Sequence, residues 1–453
     1  MKKVLGLLLL VVVSFALIGC DTDESYAAQG ISDEFILVGN TAPYEGLYAA
    51  VGIPFNLAMQ VVFDEYNATH DGPDIKFVHE DDNFDGQTGL TKTKKLVEET
   101  KVFALVGHFG TPTVNATIDY LVESGIPMVY GVTGVNSLYF GENAQVGKNI
   151  LTIQPIYRTE GRMLVARTFH ESLFGPNLNE KLAEDKIVVV LYSDDDAGQS
   201  IRAGIVEQVA AEGLTNRVVY IPFNDITASS AVSDALALNP GAIILSSNQV
   251  ATSAAIAMRQ QNSTVPVVTS YVNAATVFTP AQVDGAPLPY PVYANAWVDI
   301  ANAAAPAPTP EQIGGDGTLL GIDPSILPFL TGFTAEYWEG FVKDMNDSEL
   351  TEGTWTTKQL WANAYAMAGY VAAKSFVAIL ERVEDFKTLT WESFIELAES
   401  APIDLPLAGV IDWSNGKRVG LDTLSLNILT YPATGTTFAK IREVESLAVV
   451  LAK

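Results

Sequence analysis

Short runs of apolar, often β-branched residues alternate along this chain with longer segments in which apolar positions recur every three to four residues. Runs of the first kind predict strands and those of the second predict helices, so the alternation predicts βαβ units around mainly parallel sheets. In the first half, strands are predicted at Phe35 to Gly39, Ile75 to Val78, Phe103 to Val106 and Pro127 to Val129, with helices beginning near Leu47, Thr88 and Thr113. After Arg158 a second series follows, at Lys186 to Leu191, Arg217 to Tyr220, Ala242 to Leu245 and Val265 to Val268, and it reads as a second copy. Two α/β lobes in tandem leave a cleft between their strand ends, where open α/β sheets place ligands. Ala303 to Pro328, rich in Ala, Pro and Gly and without a period, predicts a long surface loop. Helices around Phe333 to Met345 and Leu360 to Leu380 then carry aromatic residues on one face, a core pattern, and three strands are expected to close the chain.

The N-terminal pattern is different. Met1-Lys2-Lys3 precedes an apolar run from Val4 to Ile18 that ends in Leu17-Ile18-Gly19-Cys20. A basic start and a run too short to span a bilayer predict a cleaved export signal with a lipobox. Cys20 would become the first residue of the mature chain and carry the lipid that holds it to the membrane. The polar stretch from Asp21 to Gly30 reads as a tether, with folding beginning near Phe35. Cys20 is the only cysteine, which excludes internal disulfides and cysteine-based metal clusters. At 453 residues the chain exceeds one hydrophobic core and predicts two domains. Its 26 Lys and Arg against 53 Asp and Glu give a net charge of -27, a surface that repels polyanions and excludes nucleic-acid binding as a working hypothesis.

Motifs for catalysis are missing from the sequence: there is no GxSxG elbow, no HExxH and no phosphate loop ending in Gly-Lys-Ser/Thr. The four histidines, His70, His79, His108 and His170, lack metal-ligand spacing. Only His108 falls near the predicted cleft, where a hydrogen-bonded strand-end role outweighs catalysis. Asp194-Asp195-Asp196 lacks the alternation of a calcium loop and reads as a solvated turn after a strand. No enzyme activity, metal or cofactor is therefore expected. Gly110-Thr111-Pro112-Thr113 follows a strand and opens a helix, so free N–H groups and the helix dipole favour a carboxylate there. The same residues also suit a purely structural end, with Thr111 as helix cap and Pro112 in the first turn. Tyr44, Tyr48 and Phe109, on loops at predicted strand ends, are candidates for the pocket wall.

Four blocks carry a resemblance: Ile36 to Gly46 (ILVGNTAPYEG), Glu80-Asp81-Asp82-Asn83 followed by a helix from Lys92 to Glu99 and the loop Val106 to Thr113, Ile126 to Gly134 (IPMVYGVTG), and Gln154 to Arg162 (QPIYRTEGR). Their order and spacing resemble the branched-chain amino acid (Leu/Ile/Val) binding proteins of ABC transporters, which have the type I periplasmic binding fold. The resemblance runs from Ile31 to about Ala274 and returns weakly at Leu407 to Trp413. It implies a Venus flytrap of two Rossmann-like α/β lobes with parallel-type sheets, joined by three hinge strands near Gln154, Ala294 and Val410. The implied division is a signal peptide over 1–19, a lipid-anchored linker over 20–30, one lobe from 31–154 plus 295–410, and the other from 155–294 plus 411–453. By the same resemblance, closure buries a small solute between the lobes and the partners are an ABC permease and its ATPase, with the protein at the periplasmic or outer face of the membrane. A sensor presenting ligand occupancy to a receptor is the alternative.

The resemblance implies ligand contacts from Thr111, from the loop Val132, Thr133 and Gly134 beside Gly110, and from Tyr157 at the first crossing. The second lobe departs from the amino acid receptors. Where they place an acid for the ligand ammonium, this chain reads Thr269-Ser270-Tyr271-Val272, Ala197 stands where an aromatic is usual, and Asn248 stands where Tyr is common. An unpaired ammonium in a closed cleft is costly, so either Asp196 or Glu45 supplies the charge or the solute has no amine. Asp196, Asn248 and Tyr271 are accordingly the second-lobe candidates. The expected solute is a small amino acid, carboxylate or amide.

Overall fold

The computed structural model describes residues 26–46, 48–273, 278, 288–298, 340–361, 363–430 and 439–453. The leader, Cys20, Leu47 and the loop predicted at Ala303 to Pro328 lie outside the described residues.

A first sheet contains β1 (Phe35–Thr41), β2 (Asp74–Glu80), β3 (Ala104–Phe109), β4 (Met128–Val132) and β5 (Ile150–Leu151) in the order β2-β1-β3-β4-β5. Every pairing in it is parallel. β3 is buried at all six positions, which is why it reads as a continuous apolar run and not as an alternation. Helices α1 (Ala49–Thr69), α2 (Gly86–Lys94) and α3 (Thr111–Ser124) connect these strands.

The chain then passes Gln154 and Pro155 and enters α4 (Tyr157–His170). A second sheet follows, with β6 (Val188–Ser193), α5 (Asp196–Ala211), β7 (Val218–Phe223), α6 (Ala228–Ala237), β8 (Ala242–Ser246), α7 (Ala251–Gln260), β9 (Val267–Thr269) and β10 (Val292–Ala296). Past β10, Trp297 and Val298 pack in the core of the first sheet together with Phe341, α8 (Lys343–Asp347), α9 (Ala364–Leu380) and α10 (Trp391–Glu399). Two short antiparallel ribbons accompany them: β11 (Thr351–Glu352) with β12 (Trp355–Thr356), and β13 (Ile403–Leu405) with β14 (Gly409–Ile411). The chain returns to the second sheet through β15 (Thr423–Thr430) and β16 (Ala439–Ser446), giving the order β16-β15-β10-β9-β8-β6-β7.

The second sheet is mainly parallel, as expected, with β15 antiparallel to β10 and β16 antiparallel to β15 at one edge. Other expectations are corrected. Among the described residues, four strands (β13 to β16) and a short helix, α11 (Leu447–Leu451), follow α10 in place of three strands. Residues 26–30, assigned to the tether on polarity, are bound to the body: Ala27 N–H donates to Lys387 O at 3.0 Å, and Gln29 Nε2 donates to Val97 O at 3.1 Å and Val102 O at 2.9 Å. Side-chain hydrogen bonds anchor this segment where composition shows no apolar signal. Strand ends also fall later than predicted, as in β4 and β6, because buried strand-end residues such as Val132's neighbours and Ser193 are small or polar.

Candidate functional site

Phe109 closes β3 and packs edge-on against Phe55, ring centroids 5.1 Å apart, so it is a strand residue of the core and not a loop aromatic. Gly110 follows with φ of 99°, and a Cβ there would stand 2.6 Å from the Phe84 ring, so this turn needs glycine. Gly110, not Thr111, is the residue that caps α3. Thr111 is the first helical residue, and its hydroxyl makes no cap bond. It turns instead to Thr133 Oγ1 at 2.7 Å and to the Tyr157 hydroxyl at 3.2 Å.

These three hydroxyls are buried together. Val135 N–H donates to Thr133 Oγ1 at 3.1 Å, and Tyr157 N–H donates to Gly134 O at 2.6 Å, which holds the β4 loop against the first residue of α4. Three O–H groups share two mutual contacts, each using one proton. One proton therefore remains to be donated outside the cluster, beside the unpaired N–H groups of the α3 start, an arrangement suited to an oxygen acceptor.

Across the joint stands Tyr271, two residues past β9. Its hydroxyl donates to Pro155 O at 2.6 Å and accepts from Gln154 Nε2 at 3.0 Å, while Gln154 Oε1 accepts from the Tyr130 hydroxyl. Its ring lies 5.8 Å from that of Tyr157. A Cβ on Gly134 would meet the Tyr271 hydroxyl at 2.4 Å, so glycine is what lets the two lobes approach here. Glu160, on α4, fixes the Tyr271 turn: its oxygens accept from Tyr271 N–H at 2.6 Å and from Ser270 Oγ at 2.5 Å. Burial pushes its carboxyl up to about 8.

Tyr48 stacks on Phe84, centroids 4.1 Å apart, and burial raises its phenol, with Asp195 and Asp225 of the second sheet's loops adding to the effect. Tyr365, the second residue of α9, joins these aromatics, a neighbour that the sequence did not signal. Its ring lies 6.4 Å from Phe109, and burial pushes its phenol up to about 12, with Tyr157 and Tyr48 contributing. Asn363, accepting from Tyr365 N–H at 2.9 Å and Ala366 N–H at 3.0 Å, marks a helix start there, the only sequence cue that placed Tyr365 at an element end.

The structure thus brings Thr111, Val132, Thr133, Gly134, Tyr157 and Tyr271 to one place, with Gly110 and Phe109 at its edge. Tyr44 is elsewhere: it stacks on His79 at 3.9 Å, with its N–H donating to Asp81 at 3.1 Å. Asp196 lies at the lip, accepting from Asn115 Nδ2 at 3.0 Å, and beside it Asn136 N–H donates to Ser200 Oγ at 3.2 Å. Asp195 caps α5 through Gly198 N–H at 2.8 Å, and Asp194 accepts from Gln199 at 2.7 Å, which accounts for the aspartate run structurally. Asn248 is half-buried after β8, its carbonyl accepting from Ala251 N–H at 3.2 Å. Glu45 is exposed.

Behind the first rim, Asp82 accepts from Thr41 Oγ1 at 3.0 Å, Thr113 Oγ1 at 2.7 Å and Phe84 N–H at 2.9 Å. His108 lies between Thr41 at 3.3 Å and Thr117 at 3.0 Å, and burial lowers its pKa to about 3, so the ring is neutral and braces the strand end. No helix among the described residues is long and apolar enough to cross a membrane.

A model of a periplasmic binding protein family matches residues 36–313, more than half of the chain. Solved structures with the same architecture include a fatty acid ABC transporter substrate-binding protein from Thermomonospora curvata, 19% identical, covering 94% of this chain and 96% of that one with a TM-score of 0.65. A leucine-binding protein from Thermotoga maritima is 16% identical over 91% of this chain and 99% of its own, TM-score 0.63. An ABC transporter substrate-binding protein from Aeropyrum pernix is 13% identical over 93% and 100%, TM-score 0.64. These likenesses show the type I periplasmic binding fold. Comparison with curated protein sequences finds no match.

Proposed function

The chain belongs to the periplasmic binding protein family, and from that premise we propose that it is the extracytoplasmic solute-binding lipoprotein of an ABC importer, closing two hinged lobes on a small carboxylate or amide solute. Proteins of this family bind solutes and release them unchanged. In this reading the lobes are 31–154 plus 295–410 and 155–294 plus 411–453, residues 1–19 are an export signal, and Cys20 carries the lipid anchor. The partners are the permease and ATPase that receive the solute.

One observation carries the reading: the Thr111, Thr133 and Tyr157 hydroxyls, with a proton to spare, meet at the start of α3, beside the Gln154 and Tyr271 contact that joins the lobes. An acid placed there accepts from that hydroxyl and the α3 amides, and its body lies against Tyr48, Tyr157 and Tyr365. The solutes for which two of the structural relatives are named, a fatty acid and leucine, are both carboxylates, one without an ammonium and one with it. Calorimetry of the full chain in detergent, titrated with a panel of aliphatic and aromatic acids, amino acids and amides, tests the proposal. Saturable binding that is lost in Thr111→Val supports it; heat released with continuing turnover of the compound, or binding unaffected by Thr111→Val, contradicts it.

A further inference from the structure

At the ends of three neighbouring strands of the second sheet, buried polar atoms have no hydrogen-bond partner among the described residues. In the order β9-β8-β6, Ser193 closes β6, Ser247 follows β8 and Asn273 follows β9. None is more than 2% exposed, and Ser193 Oγ, Ser247 Oγ and Asn273 Oδ1 have no hydrogen-bond partner among the described residues. The amide of Asn273 is held in one orientation, because its Nδ2 donates to Ser247 O and to Thr269 Oγ1, both at 2.8 Å. Its Oδ1 is therefore a fixed acceptor. Buried polar groups without partners give up their hydration for nothing, and three on adjacent strand ends form a pattern that an incoming group would complete.

The row lies at the end of the sheet that meets the other lobe. Residues on both sides of it make contacts between lobes: Asp196 and Ser200, past β6, reach Asn115 and Asn136, and the Tyr271 hydroxyl, just past β9, accepts from Gln154 Nε2. Ser247 stands between them, since β8 lies between β6 and β9. At the same joint the Thr111 and Thr133 side chains of the first lobe meet Tyr157 of the second.

Among the described residues, the carboxylates near this rim already accept hydrogen bonds. Glu160 is the buried carboxyl beside the row, and both of its oxygens already accept, from Tyr271 N–H and Ser270 Oγ. Asp82, the buried carboxyl of the opposite rim, accepts three hydrogen bonds. Asp194 and Asp196 are exposed and engaged with Gln199 and Asn115, and Asp195 caps α5.

We infer that the second lobe takes an uncharged group of the solute, a hydroxyl or a carboxamide, and not an ammonium, so that the solute is a hydroxy acid or an amide-bearing acid. The inference rests on the solute-binding reading above. A fixed acceptor beside two hydroxyls matches a group that both donates and accepts. An ammonium there would meet three uncharged side chains in place of a carboxylate.

Two matched series test it, each keeping one skeleton and one carboxylate and changing a single substituent: leucine, 2-hydroxy-4-methylpentanoate and 4-methylpentanoate, and phenylalanine, 3-phenyllactate and 3-phenylpropionate. Both are titrated calorimetrically into the full chain in detergent, alongside succinamate as the amide-bearing acid. The hydroxy acid of one series, or the amide, binds at least tenfold tighter than either amino acid, roughly the discrimination of a site built around a neutral hydrogen-bonding group. Ser247→Ala then lowers that affinity about tenfold and leaves the melting temperature unchanged, because the hydroxyl has no partner to lose. An amino acid that binds tightest, or a Ser247→Ala variant with unchanged affinity, overturns the inference and leaves the solute-binding reading standing. No binding by any of these compounds or by the wider acid and amide panel overturns both.

Discussion

At the first rim of the cleft, Asp82, His108, Thr41, Thr113 and Thr117 satisfy one another in a closed network, and Thr111 and Thr133 meet each other. At the second rim, Ser193, Ser247 and Asn273 are equally buried and carry unanswered atoms. Both rims are the carboxyl ends of parallel strands, so the difference does not come from topology. It shows a division of labour: one lobe is pre-organised by its own hydrogen bonds, and the other is completed by what it binds.

Breaking the closed network should have the largest effect. Asp82→Ala leaves two buried threonine hydroxyls and the Phe84 N–H without their acceptor, and the expected loss of unfolding free energy is about 3 kcal/mol in a denaturant titration. Ser247→Ala, at the opposite rim, should cost less than about 0.5 kcal/mol in the same titration. Equal losses would erase the distinction between the rims.

The seam between the rims gives a smaller, pH-dependent effect. Glu160 is raised by burial to about 8 in the folded protein, whereas an exposed glutamate titrates near 4.3. Between those values the folded chain holds a proton that the unfolded chain has lost, so stability falls as pH rises from the lower value through the higher. Below the lower value both states are protonated and the contribution is flat. Glu160→Gln reproduces the protonated shape without the titration. Its unfolding free energy should therefore decline less steeply than that of the parent between about pH 6 and pH 9, a difference of roughly 2.5 kcal/mol by the alkaline end. Parallel slopes would mean that Glu160 does not titrate in the seam.

Legibility in the sequence followed the same division. β1, β3, β6 and β8 were readable because strands buried on both faces need continuous apolar runs, and the start of α3 was readable because Gly, Thr and Pro cluster there. The role of Thr111 was not: Gly110, at positive φ, ends the loop one residue earlier and frees the threonine hydroxyl for Thr133 and Tyr157. Tyr365 lies far along the chain from Phe109, and only the return of α9 against the first sheet places the two together. Glu160 reads as an ordinary helix glutamate until the Ser270 and Tyr271 turn is seen on top of it. Nothing in the residue types of Ser193, Ser247 or Asn273 distinguishes them from other loop residues, since an unanswered atom is defined by neighbours that the fold supplies.

Closure of the two lobes on a solute is the claim on which all of this rests. Spin labels on the exposed faces of α3 and α5, at Asp119→Cys and Ala210→Cys, report the distance between the lobes directly. With the tightest-binding acid at saturation, the distribution should collapse from a broad, longer set of distances to a single short one. A distribution that saturating acid leaves unchanged would contradict the account.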